Sequence, residues 1–335
     1  MKLSHLWLRC FLGGFAVVIA LLLVALFTPK PYGDLTRLGR LSDDAFGWTR
    51  QPLAFADSDL LAVPPQQADI LVIGDSFSMT HVWQSELTRA GYRFTIIYWG
   101  DLHEALCGDF QSWAKAAGFH GKLIVIESIE RLLKERLKRS EECARMNVPF
   151  VSQEKPFAPA LKQVPAYALN TEPKISTGVL THLHTWQAAR TRTDEAFSFD
   201  TRVGLVDKGC EQFSHKLCDR VLFFEDDFIN ELDLTDFQRL LRFDKQHDSM
   251  PILWMFIPNK TTVYKLHDRS KSFNDALVAA GLGPDIFKLA ADNRFKIQDL
   301  YLPNDTHMST HGQVLMGRRM LEAVRQRIPA PSPRL

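Results

Sequence analysis

Asp69-Ile-Leu-Val-Ile-Gly-Asp-Ser-Phe-Ser78 is the stretch that decides the fold of this chain. Its first half is a short apolar run rich in β-branched residues, preceded by Pro64-Pro65 and stopped by Gly74. A run that is apolar at every position, not at alternate ones, predicts a strand buried on both faces of a parallel sheet. The pattern repeats outward from there. Residues 77–90 read as a helix closed by Gly91 in the C-cap position. Phe94–Tyr98 (FTIIY) and Lys122–Glu127 (KLIVIE) read as the next strands, with a helical stretch between them and a charged helix after, through about Arg139. Ile252–Ile257 (ILWMFI) is a fourth strand and Phe295–Gln298 a fifth, with helices expected over 271–281, 284–292 and 311–327. Strands alternating with helices predict an α/β fold in which a parallel sheet is covered on both faces, a three-layer α/β/α sandwich.

The rest of the chain frames this domain. Its 335 residues carry a net charge of +1, with 46% hydrophobic and 24% charged residues. That balance excludes a disordered polymer, a collagen-like repeat and a pore of many spans. Near-neutral charge supplies no general field for nucleic acid, so no nucleic-acid partner is expected. Much of the apolar excess lies in the uncharged run Cys10–Thr28, which spans about 28 Å as a helix, close to the hydrocarbon thickness of a bilayer. Lys2 and Arg9 precede it without an acidic residue, as in a short cytoplasmic tail. The run reads as an uncleaved anchor followed at once by Pro29 and Pro31; a cleaved signal peptide is the alternative.

The expected organisation is therefore a tail over 1–9, an anchor over 10–28, a linker over 29–65, a catalytic domain over 66–328 and a flexible end over 329–335. Within the domain, about 140–248 breaks the strand–helix rhythm with five prolines between Pro149 and Pro173 and reads as an insertion. Of the five cysteines, Cys10 lies in the apolar run, leaving an even four. Pairs Cys107–Cys143 and Cys210–Cys218 are expected in an oxidising compartment, four buried thiols being the alternative. No pair has zinc-site spacing, and no metal is expected.

Ser76 sits where the first strand ends. A parallel sheet binds ligands at the C-terminal ends of its strands, and a helix starting there favours a developing oxyanion through its dipole. The plainer reading is a helix cap. Near the other end, Asn304-Asp305-Thr306-His307 precedes the terminal helix. A serine needs a base for its proton, and the base needs a carboxylate to fix its tautomer; His307 and Asp305 supply both. The plainer reading there is that Asp305 and Thr306 cap a helix and His307 is a surface histidine. His307 with His311 lacks the glutamate and third ligand of a zinc motif.

Gly74-Asp75-Ser76-Phe77-Ser78 after the first strand, with Asp305-x-His307 before the last helix, resembles the SGNH/GDSL hydrolase superfamily. Ile257-Pro258-Asn259-Lys260 through Tyr264, with Asp305-Thr306-His307, is similar to polysaccharide O-acetyltransferases of the AlgJ/AlgX type. The likeness covers residues 69–131 and 251–325. Here Asp-x-His follows the serine box, as in ordinary members of the superfamily, and Met308 stands where the alginate proteins carry Trp. The order of anchor and domain also resembles the D-alanyl transfer protein DltD.

The resemblance implies Ser76 as nucleophile, His307 as general base and Asp305 as its orienter, with Asp75 shaping the turn. It puts Gly100 in the oxyanion hole. The third block of the superfamily, normally Gly-x-Asn-Asp, here reads Glu127-Ser128-Ile129-Glu130-Arg131, so Ser128 or Arg131 is the nearest substitute for the absent Asn. Tyr98, Trp99, Ser78, Lys260, Tyr264 and His311 are weaker candidates, and His182 with His184 forms a pair of solvated or metal-binding type.

It further implies an extracytoplasmic O-acetyltransferase on the inner (cytoplasmic) membrane, with no cofactor, facing the periplasm. Its partners would be an exported polysaccharide as acceptor and an MBOAT-type membrane protein as acyl donor. An esterase or deacetylase, or a non-catalytic polymer-binding component of a secretion complex, are the alternatives.

Overall fold

A computed structural model describes residues 2–172, 175–198 and 200–329. Its strands, in chain order, are β1 (Ile70–Gly74), β2 (Phe94–Tyr98), β3 (Leu123–Ile129), β4 (Glu195–Ser198), β5 (Thr201–Leu205), β6 (Arg220–Phe224) and β7 (Ile252–Ile257). The chain forms two compact units. The larger comprises Gln51–Lys162, Asp226–Tyr301 and His307–Leu335; the smaller comprises Met1–Arg50, Gln163–Glu225 and Leu302–Thr306. The expected insertion is thus shared: its middle lies in the smaller unit and its flanks in the larger. Residues 29–50 belong to the smaller unit as well.

The larger unit is α/β. Its sheet runs β2-β1-β3-β7 with every pair parallel. All residues of β1, β3 and β7 are buried, as the unbroken apolar runs of β1 and β7 require, and in β3 the burial extends to Glu127 and Ser128. The register pairs Gly74 with Tyr98 and Ile129 with Ile257. Ser76 and Gly100 therefore leave neighbouring strands two residues beyond their last pair, at the C-terminal edge of the sheet. Ile73, Ile97, Ile126, Phe110, Leu133, Leu240, Trp254 and Phe273 belong to one core cluster that joins sheet and helices. The Cys107–Cys143 disulfide is formed in this unit.

Three local expectations are corrected. No continuous helix runs over 77–90; Asp75 O accepts the Ser78 N–H, Ser78 O accepts the His81 N–H, and His81 takes a left-handed φ of 57°. Successive turns thus occupy this stretch, and a helix forms only over Ser85–Arg89. It ends at Ala90, with Gly91 next at φ 89°. Phe295–Gln298 is not a strand, because the N–H groups of Lys296 and Ile297 bond back to Asn293 O as a turn. The third strand continues past Glu127 through Ser128 and Ile129, whose side chains are buried. Fourth-strand and C-terminal helices form at Ile252–Ile257, Lys271–Ala279, Ile286–Asn293 and Thr310–Arg327.

The smaller unit contains the antiparallel sheet β4-β5-β6 and a core of Leu35, Leu41, Phe46, Ala188, Val203 and Leu222. The Cys210–Cys218 disulfide is formed here. Within its first helix, Lys2–Leu26, the span Leu3–Leu26 is long and apolar enough to cross a membrane, with a mean hydropathy of 2.5 over its most apolar 18 residues. Apolar side chains such as Phe11, Phe15, Val17 and Leu23 are exposed along it.

Candidate active site

Ser76 Oγ and His307 Nε2 lie 2.8 Å apart, within hydrogen-bond reach. Both side chains are half-buried, and the His307 ring packs on Phe77 with centroids 4.6 Å apart. The two residues are 231 positions apart in sequence, so tertiary structure alone makes this pair.

Each partner is held by its own backbone device. Asp75 Oδ1 accepts the Phe77 N–H at 3.1 Å and Oδ2 accepts the Ile129 N–H at 2.8 Å, which ties the Ser76 turn to the end of β3. Gly74 is required by close approach: a Cβ there would lie 2.3 Å from the Ser78 side chain and 3.1 Å from Glu127 Oε2. On the other side, Met308 bridges Tyr301 in antiparallel fashion, and Ser309 N–H donates to Leu300 O at 3.1 Å. Ser309, not Asp305 or Thr306, caps the helix Thr310–Arg327. Gln313 then joins the two sides. Its Nε2 donates to Met308 O at 3.1 Å, and its Oε1 accepts from Thr80 Oγ1 at 2.5 Å.

Beneath Ser76 lies a buried charged layer. Arg136 is 2% exposed; its Nη1 donates to Asp75 at 2.9 Å and to Ser128 Oγ at 2.7 Å, and its Nε donates to Glu104 at 2.7 Å. The guanidinium stands over the Trp99 ring at 4.8 Å. Burial opposes ionisation of Asp75, but the Arg136 charge and the two N–H donors outweigh it and hold the carboxyl below its ordinary range. Glu127 goes the other way. Burial, then the adjacent Asp75 carboxylate, pushes its carboxyl well above the ordinary range, although it accepts from Ser78 Oγ at 2.8 Å and from Asp75 N–H at 2.9 Å. Neither Arg136 nor Glu104 carries a signal in the sequence beyond ordinary helix or loop charge.

The remaining expected residues fall as follows. Asp305 lies in the smaller unit, two residues before His307, and its carboxylate accepts the Asp34 N–H at 3.1 Å. Asp34 accepts in turn from Thr306 N–H at 2.9 Å and from Thr306 Oγ1 at 2.5 Å. Asp34 stands in what reads as linker, and its partnership with Asp305 has no sequence signal. Gly100 lies in a 3-10 turn, Trp99–Leu102, where a Cβ would meet the Tyr98 ring at 2.3 Å. Ser128 is fully buried, with its hydroxyl engaged by Arg136 and by Ile129 O. Arg131 pairs with the buried Asp227 at 3.0 Å. Lys260 is buried, and its charge also favours ionisation of Asp227. His182 and His184 do not form a pair: His182 Nε2 lies 3.2 Å from Thr28 Oγ1, and His184 Nδ1 lies 2.9 Å from Gly39 O.

The helix-dipole expectation at Ser76 is also corrected, since the five-residue helix begins nine positions later, at Ser85. What the turn leaves instead is the Ser76 N–H itself, which makes no hydrogen bond within the protein among the described residues. Comparison with protein-family models, with curated proteins and with solved structures finds no match to this chain.

Proposed function

We propose that this chain is a membrane-anchored, extracytoplasmic serine O-acyltransferase, an O-acetyltransferase on an exported polysaccharide. The observation that carries the reading is the 2.8 Å Ser76 Oγ–His307 Nε2 approach at the C-terminal edge of a parallel sheet. Ser76 Oγ attacks the carbonyl of an acyl donor while His307 Nε2 takes its proton. The unpaired Ser76 N–H, with Gly100 N–H from the neighbouring strand end, receives the oxyanion. Collapse expels the donor's leaving group, which His307 protonates, and leaves an acyl-serine. A sugar hydroxyl then gives its proton to His307 and attacks the ester, which regenerates Ser76. Asp305, two residues before His307 in the chain, is the proposed orienter of that base.

The fold in this reading is the three-layer sandwich of the SGNH/GDSL hydrolases. Retention of the apolar helix is supported by its built-in end: Asn170 N–H donates to Leu26 O at 2.9 Å, and Ala25 is buried. Both disulfides support an oxidising compartment, hence the periplasmic side of the cytoplasmic membrane. An MBOAT-type membrane protein is the proposed source of acyl groups. Water in place of the sugar hydroxyl would give an esterase with the same residues. Incubation with an acetylated donor and an acceptor oligosaccharide, read by mass spectrometry, tests the difference. Acetylated oligosaccharide that disappears with Ser76→Ala supports transfer; free acetate alone supports hydrolysis, and neither product contradicts both.

A further inference from the structure

The helix Ile175–Ala188 contains no Asp, Glu, Lys or Arg in its fourteen residues, yet it is not a core helix. Leu183 is 52% exposed and Trp186 is 55% exposed. Val179 and Leu180, one turn earlier on the same face, are half-buried. A soluble surface helix ordinarily turns charges outward, so this face is unpartnered in the opposite sense.

Its position says what covers it. The helix packs on the end of Lys2–Leu26, where a Cβ at Gly178 would come within 2.7 Å of Ala25 Cα. His182 lies against Thr28 at 3.2 Å, so Gly178 and His182 follow Ala25 and Thr28 in the same direction. The preceding loop is fixed to the same place: Tyr167 OH donates to Phe27 O at 3.1 Å, and Asn170 N–H donates to Leu26 O. Tyr167 and Leu169 in that loop are 57% and 49% exposed. Arg190 stands over the Trp186 ring at 3.9 Å, which sets a cation beside an exposed indole.

We infer that Leu183 and Trp186, with Tyr167 and Leu169, form a lipid-contacting surface that seats the smaller unit in the outer headgroup layer of the bilayer. This rests on the reading of Lys2–Leu26 as a retained anchor, and not on the acyl-transfer chemistry. Tyrosine and tryptophan suit that layer because an apolar ring and a polar tip meet lipid and water together. Arg190 then meets lipid phosphate. The anchor and this surface together give two attachments, which fix the unit's orientation to the membrane where one helix would leave it free to swivel.

Spin labels on the full-length chain test this, in phosphatidylcholine–phosphatidylglycerol vesicles. In a Cys10→Ser background, which removes the one free thiol, labels are placed by Leu183→Cys, Trp186→Cys, Ile19→Cys in the anchor, and Asp207→Cys at an exposed polar position. The expected result is a several-fold higher ratio of oxygen to nickel-chelate accessibility at 183 and 186 than at 207, approaching that at 19. Labels at 183 and 186 that match 207, while 19 stays in lipid, overturn the surface and leave the anchor standing. Labels at 183 and 186 shielded from both reagents overturn it in favour of a protein contact. A water-accessible label at 19 removes the anchor reading and the surface with it.

Discussion

Arg136→Met should destabilise the larger unit more than any surface change. Arg136 is 2% exposed and its partner Asp75 is 3% exposed, so the pair is shielded from solvent on both sides. Removing one partner of such a pair leaves the other charge buried, at a cost of about 3–5 kcal/mol. Asp75 retains its N–H donors from Ile129 and Phe77, which offsets part of that loss. The Glu104 arm adds little, because that carboxylate is 30% exposed and water replaces its partner. The net expectation is about 3 kcal/mol, at the low end of the range. Urea unfolding in detergent, followed by tryptophan fluorescence, reads it, with Trp99 directly beneath the guanidinium. Asp75→Asn/Arg136→Met removes the stranded charge, so the double variant should recover on the order of 2 kcal/mol relative to the sum of the singles. An Arg136→Met midpoint within about 0.5 kcal/mol of the parent, or strict additivity in the double variant, would refute the view that this pair holds the Ser76 turn.

Two pH-dependent predictions follow from the same unit. His81 is fully buried, with Nδ1 2.7 Å from Leu60 O and Nε2 unpartnered, and burial lowers its pKa to about 4. The unfolded chain protonates first, so this histidine costs nothing above about pH 6.5. It removes about 3 kcal/mol as pH falls from there to about 4. His81→Asn keeps a donor for Leu60 and tolerates the left-handed φ; unfolding titrations should show its acid slope flattened, and equal slopes would count against the assignment. Glu127 has the opposite sign. Its raised carboxyl favours the folded state below the ordinary value near 4.5, and that stability is lost as pH rises through the folded value. The melting temperature of Glu127→Gln relative to the parent should therefore climb between pH 5 and pH 8, whereas a constant gap would show that Glu127 is ionised throughout.

The sheet was legible because β1 and β7 are unbroken apolar runs and β2 departs from one only at Thr95, and burial on both faces admits few other residues. Ser76 and His307 were legible because each ends a periodic segment with a polar side chain of known chemistry. The helix expected over 77–90 failed because Asp75 side-chain and carbonyl bonds compete with helix formation there, and such local competition is invisible to periodicity. Phe295–Gln298 failed for a related reason: an alternation only four residues long, Phe-Lys-Ile-Gln, does not distinguish a strand from a turn closing on Asn293. Asp34 and Arg136 were missed because their partners are 271 and 61 residues away. Nothing in local sequence separates a charge that ends buried on such a partner from one that ends in water.

The most direct test of the central claim is covalent labelling of the full-length protein with a serine-reactive fluorophosphonate, read by peptide mass spectrometry. The account predicts one phosphonylated residue, Ser76, with labelling abolished in Ser76→Ala and slowed by about 10³-fold or more in His307→Ala. Labelling that is unaffected by either substitution, or that lands on another serine, would contradict it.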